Sequence, residues 1–361
     1  MADKETYNVS KNNPPSSGNG GVPGHGEGGN PNQPTIIIQN YPSRSGWWSR
    51  VIMFILGLSI LMNISLIAAN PEFAQDTDGP KEKFHKGDKQ APDKIALIEV
   101  SGTIMPPLTE RTLKNIEKAE KDDKVKGILL VVDSPGGLVA DSHQIYHRLK
   151  QLSEKKKIYV QMKRLAASGG YYISMGAGPQ AKIYAEPTTW TGSIGVIMPR
   201  YDFSEFAKTW GIKSDPLTTG EFKNTLDPLK PLNEEERQLW GHILDQSYKK
   251  FMSIIDDNRD TMNAEDVKKI ATGQIFTADD AMQNHLIDAI GFEEDATADL
   301  KKALGLENVK IVKYEHTLTF SDLLSSSAKA PESQSIIRDL MESSVPRAMY
   351  FFAWSNSGMK P

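Results

Sequence analysis

The sequence predicts an α/β domain built on parallel strands and preceded by one transmembrane helix. Three observations carry that expectation. Short apolar runs alternate with helical patterns between residues 95 and 200. Two of the runs close on glycine turns, "DSPGG" at 133–137 and "SGG" at 168–170. A charge-free stretch, "VIMFILGLSILMNISLIAA", fills residues 51–69.

Residues 1–46 read as a disordered tail, because "NNPPSSGNGGVPGHGEGGNPNQP" offers almost nothing to bury. The "TIII" at 35–38 is its one apolar spot and a candidate docking segment. As a helix, residues 51–69 span roughly 28 Å, close to the thickness of a hydrocarbon core. Trp47 and Trp48 sit at one end, as interfacial aromatics do, and Asn63 is the one strongly polar side chain inside. The polar leader of about fifty residues is too long for the n-region of a cleaved signal peptide, so residues 47–69 read as a signal anchor. Arg44 and Arg50 favour a cytoplasmic N-terminus, although Lys81, Lys83, Lys86 and Lys89 follow on the other side. That orientation makes a single-pass inner or plasma membrane protein with its globular domain on the extracytoplasmic side. Residues 70–93 read as a charged linker.

Globular texture begins at residue 94. "IALIEVSGTI" (95–104) reads as a strand and 107–123 as a helix with a charged outer face. "KGILLVVDSPGG" (126–137) is a buried strand running into a turn. Ile145, Leu149 and Leu152 keep helical spacing over 138–154. Strands follow at 157–162, 181–187 and 192–198. After 231 the pattern is mostly helical. Asn233 with Glu236 three residues later makes a capped start, and Trp240, Ile243, Ser247, Phe251 and Ile254 share one face. Thr277 starts another helix that ends near Asn284, a residue tolerant of the left-handed conformation. Residues 94–320 are taken as the globular domain and 321–361 as a C-terminal tail, Ser-rich at first and ending in the apolar "MYFFAW".

The formal net charge of −4 gives no basic excess to suggest nucleic acid, and a chain without cysteine has neither disulfides nor thiolate metal sites. His143 and His147 have the i, i+4 spacing of a zinc pair, but Gln144 replaces the glutamate of H-E-x-x-H. A solvated helix face is the simpler reading. No G-x-S-x-G elbow is present: Ala166 stands two residues before Ser168, and Thr191 two before Ser193. The remaining base is lysine, which takes a proton from serine once desolvation makes it neutral. Most lysines lie in charge runs; Lys223 lies instead in "TTGEFKNTLDP". The two glycine turns offer backbone amides for a developing oxyanion.

Taken together, "DSPGG", "AASGGYYI", "TGSIGV", "GEFK" and "TGQIFTADDAMQNHLID" resemble signal peptide peptidases of the SppA type, the S49 serine peptidases, over roughly residues 94–305. The resemblance implies a fold like that of the Clp protease and the crotonases, with parallel sheet layers and packed helices. It implies Ser168 as nucleophile, Lys223 as general base, and Ser193 orienting the lysine. Gly137, with Gly136 beside it, and Gly169 would hold the oxyanion. Asn284–His285 depart from the glycine usual in the family at that helix end. No metal or cofactor is implied. Remnant signal peptides and similar apolar segments are the implied substrates, and a homo-oligomeric ring is the implied assembly. Three other readings stay open: a stomatin-partnered processing peptidase with the same dyad, a crotonase-like acyl-CoA enzyme, and a non-catalytic scaffold. The "MYFFAW" tail is expected to dock near a groove in an assembled neighbour, or to be trimmed by the enzyme, or simply to pack.

Overall fold

A computed structural model of the protein describes residues 46–69, 79–316 and 348–351. The tail at 1–45, with its "TIII", and residues 317–347 and 352–361 lie outside the described residues. The described chain divides into two units at residues 76 and 77.

Among the described residues the first unit contains one helix, α1 (Gly46–Ala69, 24 residues), long and apolar enough to cross a membrane. Its Trp47, Phe54 and Leu58 are exposed. Asn63 Nδ2 donates to the Ser59 carbonyl at 2.7 Å, so the helix satisfies its own polar side chain.

The second unit is mixed α/β. Its strands are β1 (Lys81–Gly87), β2 (Lys94–Ser101), β3 (Val125–Ser134), β4 (Gly136–Leu138), β5 (Lys157–Ala167), β6 (Ile183–Ala185), β7 (Trp190–Gly192), β8 (Ile275–Thr277), β9 (Ala289–Ile290), β10 (Lys310–Glu315) and β11 (Met349–Phe351). Nine of these form one sheet in the order β1-β10-β2-β3-β5-β6-β9, with β7 beside β5 and β8 beside β7. Pairing is parallel except at β1–β10 and β7–β8. Strands β4 and β11 form a separate antiparallel pair.

The central strands are apolar at successive positions because helices cover both sheet faces. Ile98, Val100, Ile128, Leu130 and Val132 point to one face. There they pack with Ile116 of α2 (Leu108–Lys121), Ile145 and Leu149 of α3 (Val139–Ser153), Tyr172 of α4 (Gly169–Ser174) and Phe251 of α6 (Glu234–Asp256). A short helix, α5 (Ser204–Thr209), precedes α6. Ile95, Leu97, Leu129 and Val131 point to the other face. They meet Ala296 and Leu300 of α9 (Glu293–Leu304), which follows α7 (Ala264–Ile270) and α8 (Ala278–Gln283). At the start of α6 the Asn233 side chain accepts from the Glu236 amide at 2.8 Å, and Glu236 accepts from the Asn233 amide at 3.1 Å.

Four expectations need correction. Residues 81–87, placed in a linker, form β1 on the sheet edge. "KEKFHKG" lacks an apolar alternation because an edge strand is largely exposed, and its lysines discourage further pairing. The strand expected at 192–198 stops at Gly192, where Gly192 and Ser193 both take positive φ. The mostly helical C-terminal half also contributes β10, inserted parallel to β2. The left-handed residue after α8 is His285 (φ 57°), not Asn284.

His285 takes that conformation for a reason. It turns its carbonyl toward Arg259, whose Nε and Nη2 donate to it at 2.9 and 2.7 Å. The buried Arg259 guanidinium also grips both oxygens of Asp288, each at 2.9 Å. A non-glycine residue with positive φ is strained by roughly 1–2 kcal/mol. His285→Gly is therefore expected to raise stability by about 1 kcal/mol, read as a higher denaturant midpoint with unchanged slope.

Candidate active site

The sheet places Ser168 where β5 turns sharply into α4. Its backbone is held at φ 53°, ψ −113°, a strained conformation costing about 1–3 kcal/mol. This is the geometry of a nucleophile elbow without the G-x-S-x-G sequence. Two bonds fix it: the Ser168 amide donates to the Gly192 carbonyl at 2.7 Å, and the Ser168 carbonyl accepts from the Tyr172 amide at 2.8 Å. Ser193 occupies the next register position on the neighbouring strand, since Ala167 pairs with Gly192. It too has positive φ, at 50°. Both serines are buried.

Among the described residues no hydrogen bond links Lys223 to either serine. It is exposed on a turn after Gly220, and among the described residues its side chain makes no hydrogen bond or ion pair. That turn is tied to α6 by Trp240 Nε1, which donates to Thr225 Oγ1 at 3.0 Å.

The glycines around Ser168 are required by close approach. A Cβ on Gly136 (φ 96°) would lie 1.9 Å from the Tyr350 carbonyl oxygen and 2.6 Å from the Gly169 amide nitrogen. On Gly137 it would lie 2.0 Å from the Ile104 carbonyl oxygen, and on Gly169 2.7 Å from Ser142 Oγ. Ser134 Oγ accepts from the Gly136 amide at 3.1 Å and supports the turn.

Strand β11, part of the C-terminal tail, lies in this cleft. Tyr350 pairs with Gly137 and Met349 with Leu138, antiparallel, and the Val139 amide donates to the Ala348 carbonyl at 3.2 Å. On its opposite edge Met349 exchanges two bonds with Ile197, at 2.9 and 3.0 Å. The segment is thus held as a strand from both sides. The Tyr350 side chain is fully buried. It contacts Tyr172 and Phe251, with ring centroids 4.7 and 4.8 Å away.

A Peptidase family S49 model matches residues 150–307, and a Clp protease model matches 92–190. A Synechocystis protein named as a candidate protease is 37% identical over 218 residues, covering 60% of this chain and 77% of the relative. An Enterococcus faecium protein named as a candidate signal peptide peptidase SppA is 33% identical over 272 residues, covering 71% of this chain and 76% of the relative. The chain belongs to peptidase family S49. A third relative, the chloroplastic serine protease SPPA of Arabidopsis thaliana, is 30% identical over 236 residues, 62% of this chain and 34% of that one.

Within this S49 chain, residues outside the motifs also build the cleft. Phe251 was legible only as a helix-face residue, and Ile197 only as part of a strand. His143 is not on a solvated face: its Nδ1 lies 2.8 Å from the Tyr172 hydroxyl, and its ring stacks on Tyr146. Burial, then the nearby Lys250 and His147 charges, pull the imidazole below its usual pKa. Burial pushes the Tyr172 phenol far above its own. Among the described residues no group of three or more His, Asp or Glu could hold a metal. Beside Tyr350, a cavity of about 500 Å³ is lined by Leu138, Val139, His143, Tyr172 and Ala348.

Gly136→Ala is expected to expel residues 348–351 from the cleft and to lower peptidase activity by about 100-fold or more. Turnover of an unstructured protein substrate, with circular dichroism to show the fold intact, checks both effects.

Proposed function

We propose that this S49 protease is a membrane-anchored serine endopeptidase with a Ser168–Lys223 dyad. Its substrates are extended apolar segments, remnant signal peptides above all. The observation that carries the reading is the strand seated across Ser168. It puts a peptide carbonyl, that of Tyr350, against Gly136 and Gly169 beside a strained serine. A cleft that holds an extended backbone on both edges suits a peptide and favours hydrolysis over acyl-CoA chemistry. Helix α1 would confine the enzyme near membrane-embedded substrates, with the catalytic unit on the extracytoplasmic side.

In the proposed reaction, neutral Lys223 removes the Ser168 Oγ proton as the oxygen attacks the scissile carbonyl. The amides of Gly137 and Gly169 hold the resulting oxyanion. The lysine returns the proton to the leaving amine as the C–N bond breaks. Water, deprotonated by the same lysine, then hydrolyses the acyl-enzyme and restores the serine. Ser193 orients the amine. No metal or cofactor enters.

The exposed position of Lys223 supports assembly from several copies of the chain. The segment before it leaves Tyr201 73%, Trp210 70% and Phe222 42% exposed, with Phe203 and Phe206 between them. An apolar surface of this kind is a protein-contact surface. A neighbouring copy covering it would desolvate the lysine, and the ring of chains would complete the cleft.

Ser168→Ala and Lys223→Ala are each expected to abolish cleavage of an unstructured apolar substrate without unfolding the protein. Full activity in either variant would overturn the dyad. Mixing the two variants tests the assembly: regained activity places serine and lysine of one site on different chains. Intact-mass analysis addresses the tail. Wild-type protein is expected to lose its C-terminal residues and Ser168→Ala to keep them; identical termini would count against trimming.

A further inference from the structure

Lys223 lies in a segment with almost no core of its own. From residue 201 to 229, Ala207 is the one buried apolar side chain. A stretch with so little buried is loose unless polar bonds shape it. Such bonds are present, and they converge on one side chain four positions after the lysine. The Asp227 carboxylate takes three donors. The Ser214 hydroxyl reaches Oδ2 from the limb of the loop that precedes Lys223. Asn224 Nδ2, from the residue next to the lysine, reaches the same oxygen at 3.3 Å. The Leu229 amide reaches Oδ1 at 2.8 Å. The Asp227 carbonyl accepts from Arg200 Nη2 at 3.1 Å, and the same nitrogen donates to the Lys230 carbonyl. The Phe203 amide donates to the Pro228 carbonyl at 2.7 Å. Arg200 and these backbone bonds close the base of the loop. Asp227 then ties its two limbs together on either side of Lys223.

We infer that Asp227 is a positioning residue for the general base: its carboxylate fixes the turn from which Lys223 projects. The inference rests on the Ser168–Lys223 reading of the site. A base must come within about 3 Å of the proton it takes. A lysine amine already rides on a flexible four-carbon stem, so the backbone beneath it has to be still. Asp227 shapes that backbone within one chain; in the proposed assembly a neighbouring copy supplies the dry surroundings. A carboxylate suits the task because it is acceptor-only and receives several donors at once. Asparagine would turn an amide N–H toward one of the three donors.

The expected losses follow from what each replacement releases. Asp227→Ala frees both limbs, and a misplacement of about 1 Å costs roughly 100-fold in kcat. Asp227→Asn keeps one acceptor oxygen and is expected to lose about tenfold. Ser214→Ala removes a single donor on the exposed limb and is expected to lose about fivefold. KM stays unchanged in all three, because the peptide groove is built from other elements.

The test uses the full-length protein, an unstructured apolar protein substrate and a fluorophosphonate probe for Ser168. Wild type and Lys223→Ala are measured beside the three variants. The expected result is that kcat and the rate of Ser168 labelling fall by the same factor, least in Ser214→Ala and most in Asp227→Ala. KM and the final labelled fraction are expected to match wild type. A lower final fraction at an unchanged labelling rate marks a folding role and overturns the positioning role. Wild-type kcat in Asp227→Ala and Ser214→Ala overturns it too, while leaving the dyad intact. If the Asp227 variants do not fold, Ser214→Ala decides on the same readouts. Wild-type turnover and labelling in Lys223→Ala would remove the dyad and the inference with it.

Discussion

Backbone approach without side chains, at Gly136, Gly137 and Gly169, is the constraint on which the rest of this structure turns. Three chain segments converge there: the turn after β3, the first turn of α4, and the strand β11. Any Cβ in that space would meet a carbonyl, an amide or a hydroxyl at well under van der Waals distance. The flanking architecture keeps the segments in place. Strands β2, β3 and β5 are pinned by a core on both sheet faces, so their C-terminal ends are fixed points from which the turns project. The strain at Ser168 persists because the bonds to Gly192 and Tyr172 over-determine it.

The parts of this molecule that were legible in its sequence share one property: their pattern is set by local chemistry. Buried parallel strands read as apolar runs, the Asn233 cap reads from two residues, and α1 reads from the length of its charge-free run at 51–69. The glycine turns were visible as turns. What escaped were features decided at a distance. Strand β1 has no hydrophobic period because its role is to end a sheet. His285 takes a positive φ because Arg259, twenty-six positions earlier in sequence, needs its carbonyl. His143 looked like one of a solvated pair, since nothing local announces that Tyr172 lies across from it. The elbow at Ser168 was missed as an elbow because glycine usually relieves crowding where this chain has Ala166.

The candidate site divides in the same way. Ser168 and Ser193 come together because adjacent parallel strands end at the same level, a consequence of register. Lys223 belongs to a segment with few buried apolar contacts of its own, anchored through Trp240 and Thr225. In the proposed assembly a neighbouring copy covering the aromatic surface around it would fix its placement. A rigid half and a half awaiting its surroundings suit the proposed assembly, in which the cleft would be complete only between copies.

Strand β11 is hydrogen-bonded along both edges, to β4 on one side and to Ile197 on the other. Such a slot measures its occupant by what that occupant lacks. A segment already in a helix, or already paired in a sheet, has no free amides and carbonyls to offer two neighbours at once. In the proposed peptidase the cleft would thereby act as a gauge of foldedness: intact domains would be refused by their own internal bonding, and only a chain that has lost its partners would enter.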